Sequence, residues 1–376
     1  MAVASRTGVE LLGRDLLDRA GIELGGPNPW DLHVNDDRFW DRVFADRELG
    51  LGETYQEGWW DAAAPDQLIV RMLTADLQSA IRPTPRLAAT MARATMANRQ
   101  TVRRAKENAS AHYDTGNDLF EAMLDPRMVY SCAYWREADE LASAQEHKLD
   151  LICRKLELES GMRLLDIGCG WGGLARFAAE RYGCTVTGIT PALAQFAVAR
   201  ERCARLPVEI RATDYREVSG VFDRIVSVGM LEHVGARNFR TFFDRCRALL
   251  APDGMMLHHT IGSNQSKNRT DPWFDRHIFP GGVVPSLAQL ARAAEQHWAI
   301  EDVHNFGPDY DRTLMAWHAN IEKAWTDLPR YGEHFRRTWQ YYLLSSAAAF
   351  RVRNLQLYQI VLRRAGRVSE VYSSPR

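Results

Sequence analysis

The stretch Leu164-Leu-Asp-Ile-Gly-Cys-Gly-Trp-Gly-Gly173 decides how the rest of this 376-residue chain is read. A short apolar run ends in an acid, three glycines alternate (Gly168, Gly170, Gly172), and helix-forming Leu174-Ala-Arg-Phe-Ala-Ala-Glu-Arg181 follows. That order predicts a buried parallel strand, a tight loop and a helix. The glycines let the backbone turn sharply and approach a ligand that a Cβ would push away, and Asp166 can accept a hydrogen bond from a ligand cation or amine. The unit reads as a site for a nucleotide-sized ligand.

Beyond the loop, strand and helix signals alternate. Strands are expected at 184–189, 208–212, 222–229 and 254–261, with a helix opened by Pro191 and another over 238–250. This is the rhythm of an α/β, doubly wound, Rossmann-like sheet, in which ligands bind beyond the carboxyl ends of the strands. Thr190, Asp214 with Tyr215, Glu232 with His233, and His259 collect at those ends. Neighbours on a strand face opposite sides, so only one of His258 and His259 can reach a pocket there. The spacing Asp-x-Gly-x-Gly-x-Gly resembles the S-adenosylmethionine (SAM) loop of doubly wound methyltransferases more than the pyrophosphate loop of dehydrogenases.

With 46% hydrophobic and 25% charged residues the chain has the balance of a soluble globular chain, and its net charge of −1 gives no global attraction to nucleic acid or membranes. The six cysteines form no CxxC pair and no zinc-like spacing, so a reduced cytoplasm and no metal site are expected. Charge interrupts the N-terminus before an apolar signal core develops, and no run approaches the roughly 20 apolar residues of a membrane span. The protein is expected to be neither exported nor integral.

Two domains are expected: a smaller, mainly helical N-terminal domain over 1–105, ending in a basic linker, and a catalytic domain over 106–376. Residues 82–106 carry Arg82, Arg86, Arg93, Arg99, Arg103, Arg104 and Lys106 without an acid. They form either a solvated linker or a contact for anionic lipid headgroups; no aromatic lies among them to stack on bases, which disfavours nucleic acid. Two polar-aromatic clusters, 111–120 and 128–135, suit a lid over a flat ring. The Pro- and Gly-rich residues 263–285 are expected to shape a substrate pocket, and helices over 314–325 and 334–350 precede a closing strand at 355–362.

At this point the chain resembles the cyclopropane-fatty-acyl-phospholipid synthases, the family that includes the mycolic acid cyclopropane synthases. The resemblance rests on Tyr-x-x-Gly-Trp-Trp (55–60), His-Tyr-Asp-x-Gly-Asn-Asp-Leu-Phe (112–120), Tyr-Ser-Cys-Ala-Tyr-Trp (130–135), Gly-Cys-Gly-Trp-Gly-Gly (168–173), Glu-His-Val-Gly (232–235), His-Thr-Ile-Gly (259–262) and Asn-Phe-Gly-x-Asp-Tyr-Asp (305–311). It implies that SAM is held by Tyr130, Ser131, Asp166, Gly168, Gly170, Gly172, Thr190, Gln195, Asp214 and Tyr215. It also implies a bound bicarbonate as base, cradled by Cys132, Glu232, His259, the Ile261 amide and Tyr310; His259, directly before Thr-Ile-Gly, is the histidine that matches. Some members carry a cysteine where this chain has Ser345-Ser346, which puts a covalent thiol mechanism there in doubt.

The implied reaction transfers a methylene group from SAM to the cis double bond of unsaturated phospholipid acyl chains, forming cyclopropane chains. The alternative is a related SAM-dependent C-methyltransferase that acts on another hydrophobic alkene or leaves a methyl or methylene branch. A cytoplasmic homodimer, peripherally associated with the inner face of the cell membrane, is expected. Its N-terminal domain would serve lipid access and subunit contact, with the Trp59-Trp60 pair offering apolar anchors at a surface.

Overall fold

The computed structural model describes residues 8–80, 116–366, 368 and 370–376. The basic stretch 82–106 and His112, Tyr113, Asp114 and Thr115 of the first polar-aromatic cluster lie outside the described residues.

Grouped by contacts, the chain forms two compact units, and neither is continuous in sequence. The smaller unit joins the described residues 8–80 to 271–280 and 325–354. It is mainly helical, with helices Gly8–Arg19, Arg38–Asp46, Glu48–Gln56, Pro65–Thr74, Pro272–His277 and Glu333–Arg351, and one small antiparallel pair, β1 (His33–Val34) and β2 (Trp60–Asp61). Its core is aromatic. Trp273 is fully buried, its ring centroid 4.6 Å from that of Tyr341, and its indole Nε1 donates to Gln56 Oε1 at 3.1 Å. Gln56 in turn donates to Thr338 Oγ1 at 2.7 Å, so a fully buried amide is satisfied at both ends.

Three expectations change here. A single cut near residue 105 does not describe the units, because Trp273 and the helix Glu333–Arg351 complete the core of the helical unit. Within the stretch 263–285, Trp273 and Ile278 are buried side chains of the helical unit, which ties residues 271–280 to that unit's packing. Trp60 is likewise fully buried beside Tyr55 at 4.8 Å, with its Nε1 bonded to Leu51 O, so it is no surface anchor. Gly52 leaves the slot for Trp273: a Cβ there would stand 2.3 Å from the indole Cδ1. Gly52→Ala is expected to destabilise the protein by roughly 1–3 kcal/mol through overpacking, read as a lowered melting temperature in calorimetry.

The larger unit holds a seven-stranded sheet in the order β5-β4-β3-β6-β7-β9-β8. Its strands are β3 (Arg163–Ile167), β4 (Thr185–Thr190), β5 (Val208–Ala212), β6 (Phe222–Val228), β7 (Leu250–Ser263), β8 (Trp298–Asn305) and β9 (Leu355–Arg364). β3 to β7 pair in parallel, and β9 runs antiparallel between β7 and β8. The chain reverses its direction of strand addition at β3, with β4 on one side and β6 on the other, which opens a crevice at the carboxyl end of β3. The edge strand β8 was not anticipated from the sequence.

Strand alternation sorts the side chains into two cores. Leu165, Ile167, Ile225, Met256 and Ile360 face one side with Phe242 and Phe243. Leu164, Val226, Met255, Leu257 and Val361 face the other, with Leu149, Ile152 and Cys153 of the helix Leu141–Lys155. His258 follows Met256 into the first core, its ring 5.8 Å from both Phe242 and Phe243. It is packing, as strand parity requires if His259 is the functional member of the pair.

Candidate active site

The crevice is a cavity within the larger unit, walled by the loop after β3, the ends of β4 and β6, the segment after β5, and residues 128–131. Of the residues assigned to the cofactor, Tyr130, Ser131, Asp166, Gly168, Gly170, Thr190, Gln195, Asp214 and Tyr215 line it; Gly172 does not. Gly172 instead caps the helix Gly173–Tyr182 in the left-handed conformation, at φ 82°. The Gly168 and Cys169 amides both donate to Ile189 O at 3.0 Å, which ties the loop to the neighbouring strand.

The wall is polar at defined points. Asp166 is 1% exposed, and burial pushes its carboxyl up to about 7 against the opposing charge of Lys148. Its Oδ2 has no hydrogen-bond partner among the described residues. Thr190 Oγ1 donates to Gln195 Oε1 at 2.9 Å, which leaves the Gln195 amide hydrogens uncommitted among the described residues. Asp214 accepts from Arg216 at three points, the backbone N at 3.0 Å, Nε at 2.7 Å and a terminal nitrogen at 2.8 Å, and so is fixed before any ligand arrives. Tyr215 is buried with its hydroxyl unpartnered among the described residues. Tyr130 meets Phe120 edge-on and Trp317 at a tilt, with ring centroids 5.2 Å away in each case.

None of Cys132, Glu232, His259, Ile261 and Tyr310 lines this cavity; they lie in the same unit, in two groups. Glu232, on the turn after β6, accepts the Ile261 amide at 2.7 Å, and burial pushes its carboxyl up to about 7. The amide expected to face an anion is thus committed to Glu232, whose Oε2 makes no hydrogen bond among the described residues. His259, on β7 with Ile261, is 1% exposed and kept neutral by burial; its Nε2 is unpartnered among the described residues, and its Nδ1 lies 3.4 Å from Gln359 Nε2.

The second group is tied to the helix Pro308–Ala324. The Ala133 amide donates to Thr313 Oγ1 at 3.1 Å and the Trp135 amide to Asp309 Oδ2 at 2.8 Å, which sets Cys132 beside the helix that carries Tyr310. Burial raises the Cys132 thiol well above its ordinary range, so it stays protonated, and its Sγ donates to Ala133 O at 3.2 Å. The charge of Lys148 acts on Cys132 and on His259 alike. Ser345 donates to Tyr341 O at 2.5 Å within the helix Glu333–Arg351, in the smaller unit.

Two residues were missed in the sequence. Lys148 and Gln145 are buried on the helix Leu141–Lys155, and Lys148 lines the cavity. Gln145 Nε2 donates to Ser131 O at 2.9 Å and Val129 O at 3.2 Å; Lys148 Nζ donates to Ser131 Oγ at 2.8 Å. The signal was available: both fall on the inward stripe that includes Ala144, Leu149 and Ile152, where a lysine or glutamine is out of place unless it has a task.

Residues 100–360 match the family described as mycolic acid cyclopropane synthetase. The chain is 47% identical over 354 residues to the cyclopropane-fatty-acyl-phospholipid synthase of Escherichia coli strain K12, covering 94% of this chain and 93% of that one. Among solved structures it is similar to the cyclopropane synthase MmaA2 from Mycobacterium tuberculosis, with 31% identity, a TM-score of 0.65, and coverage of 68% of this chain and 97% of the other. It is also similar to the mycolic acid cyclopropane synthase CmaA1 complexed with SAH and CTAB, with 32% identity, a TM-score of 0.64, and coverage of 68% and 97%.

Proposed function

The chain belongs to the mycolic acid cyclopropane synthetase family, and from that premise we propose that it is a SAM-dependent cyclopropane-fatty-acyl-phospholipid synthase that adds a methylene group across the cis double bond of an unsaturated phospholipid acyl chain. The observation that carries this reading is the cavity at the switch point of the sheet, with its glycine loop, its buried Asp166 and its fixed Asp214. SAM supplies an electrophilic methyl group. The chain's own residues must hold its amine, ribose and base, keep water out, and provide for the departure of one proton from the carbocation that an alkene becomes on methylation.

For that proton we propose Cys132, Glu232, His259 and Tyr310 as the holders of a bicarbonate, which would serve as base. The fit is good at the open valences: His259 Nε2 and Glu232 Oε2 are buried and unpartnered among the described residues. A neutral thiol, imidazole and phenol can donate to an anion, while the carboxylate fixes a hydroxyl. The Ile261 amide acts one step back, by orienting Glu232. The aromatic rings of Tyr134 and Tyr310, both largely buried, suit a passing positive charge, worth roughly 1–2 kcal/mol where desolvated.

The test is product mass from SAM and monounsaturated phospholipid. A gain of one CH2 with loss of the double bond supports the proposal; the same gain with unsaturation retained favours a branching C-methyltransferase; no change rules both out. We propose further that the protein works as a homodimer at the membrane surface, in contact with its phospholipid substrate. No helix among the described residues is long and apolar enough to cross a membrane. Reversing the charges of Arg99, Arg103 and Arg104 is expected to reduce sedimentation with acidic vesicles at low salt, at about 1 kcal/mol per basic residue near the surface; unchanged sedimentation would count against that contact.

Cofactor binding should also depend on pH. Asp166 titrates near 7 without ligand, and an adjacent ligand ammonium lowers that value, so binding below it expels a proton. Affinity for S-adenosylhomocysteine (SAH) is therefore expected to rise as pH climbs toward about 7 and then level off. Asp166→Asn should bind more weakly and without that slope, as calorimetric titration across the range would reveal.

A further inference from the structure

Three polar side chains stand in a row across β7, β9 and β8. The register pairs His259 of β7 with Gln359 of β9, and Gln359 with His304 of β8. Residues opposite one another in antiparallel strands share a face, so the three lie side by side on the face that carries Leu257 and Val361. The middle residue is out of place there. Gln359 is 0% exposed, in a strand whose Leu357, Ile360, Val361 and Leu362 are buried apolar residues. A buried amide is costly unless it bonds. Among the described residues the Gln359 side chain makes a single contact of that kind, from Nε2 to His259 Nδ1 at 3.4 Å, while its Oε1 has no partner. Gln56, held by Trp273 and Thr338, shows how a buried glutamine that serves packing is satisfied at both ends.

The flanks fix which way the amide points. On the β8 side, Lys155 Nζ stands 3.1 Å from His304 Nδ1 and 3.1 Å from Asp302 Oδ2. An ammonium group only donates, so His304 Nδ1 accepts; burial pushes that imidazole down to about 4, and its one hydrogen is on Nε2. The β8 flank therefore holds donors and favours the amide oxygen, which leaves the amide nitrogen to the β7 flank. An amide nitrogen also only donates. His259 is kept neutral by burial and carries one ring hydrogen, so a donor facing Nδ1 puts that hydrogen on Nε2. Nε2 is the nitrogen that has no partner among the described residues.

We infer that Gln359 is a positioning residue for His259: by donating to Nδ1 it holds the imidazole in the tautomer whose hydrogen is on Nε2, the form able to donate from that atom to an anion. This deepens, and rests on, the assignment of His259 to the bicarbonate. In the other tautomer Nε2 would turn a lone pair toward the anion and repel it.

The experiment reads the tautomer by nitrogen NMR of the full chain with isotopically labelled histidine and no added ligand, His259 being identified by the signals lost in His259→Asn. Wild type is expected to show a bare Nδ1 and a protonated Nε2. Gln359→Glu replaces the donor with an acceptor and should move the hydrogen to Nδ1. Gln359→Met keeps the length of the side chain without the bond and should give a mixture; it decides the matter if the buried carboxylate prevents folding. Turnover is expected to fall about 10- to 100-fold in both variants, the scale seen when the partner that orients a histidine ligand is removed, with SAH affinity within about threefold because Gln359 does not line the cofactor cavity. A hydrogen on Nδ1 in wild type overturns the inference, as does a shifted tautomer with unchanged turnover. So does a Gln359→Met protein that melts lower yet keeps the wild-type tautomer, the mark of a merely structural glutamine. If tautomer and turnover change as expected but wild-type turnover is indifferent to removal of bicarbonate, the orienting role of Gln359 stands and the bicarbonate reading alone fails.

Discussion

Glu232→Gln is expected to lower turnover at least about a hundredfold, the usual scale for disabling proton transfer, while SAH affinity stays within about threefold. The separation follows from geometry: Glu232 does not line the cofactor cavity, and its bonded neighbour is the Ile261 amide. Glutamine keeps the oxygen that accepts this amide and loses the charge, so the turn after β6 should survive. The carboxyl, pushed up to about 7 by burial, is poised to exchange a proton near neutral pH, which an amide cannot do. Single-turnover product formation measured beside calorimetric SAH binding checks it. A parallel loss of both in a folded variant would sink the assignment of Glu232 to the proton-handling site.

Gly170→Val should have the opposite signature, abolishing cofactor binding first. Gly170 sits at φ 54°, where a β-branched residue is strained, and it lines the cavity. Its missing Cβ would meet no protein atom within 4 Å, so a valine there would project into open space, which in the proposed reading is the cofactor's. The backbone strain alone is about 1–2 kcal/mol, too little to unfold a protein of this size outright. Undetectable SAH binding with a nearly unchanged circular dichroism spectrum is the expected result. Retained binding would mean that the loop does not cradle the cofactor.

The parts of this molecule that could be read from the sequence are those whose signals are local. The loop from Leu164 to Gly173 announces itself because strand, turn and helix chemistry follow one another within a few residues; alternation says that His258 and His259 face opposite sides, and the resemblance at His-Thr-Ile-Gly selects His259. Lys148 escaped because a lysine is read as solvent-facing unless its helical phase is compared with its neighbours; the stripe of Ala144, Leu149 and Ile152 shows it pointing inward. The strand β8 escaped because it is an edge, with Glu301, Asp302 and His304 interrupting its apolar residues and only β9 to pair with. Trp273 escaped for another reason: Asp271-Pro-Trp-Phe has the composition of a loop, and nothing nearby in sequence shows that its partners are Gly52, Gln56 and Tyr341.

That last arrangement sets an order of events during synthesis. The helices of residues 8–80 leave the ribosome with the Gly52 slot and the Gln56 amide unfilled, and they wait through the whole glycine loop and most of the sheet before Trp273 emerges, then longer for Tyr341 and Thr338. Closing so long a loop of chain is slow, and meanwhile Trp60 and Tyr55 lack the helix that covers them. The nascent helices of residues 8–80 therefore expose aromatic surface that the finished unit buries. For the same reason, a truncation that begins near residue 104 would not liberate a catalytic fragment; it would leave Trp273 and the helix Glu333–Arg351 without the partners that bury them.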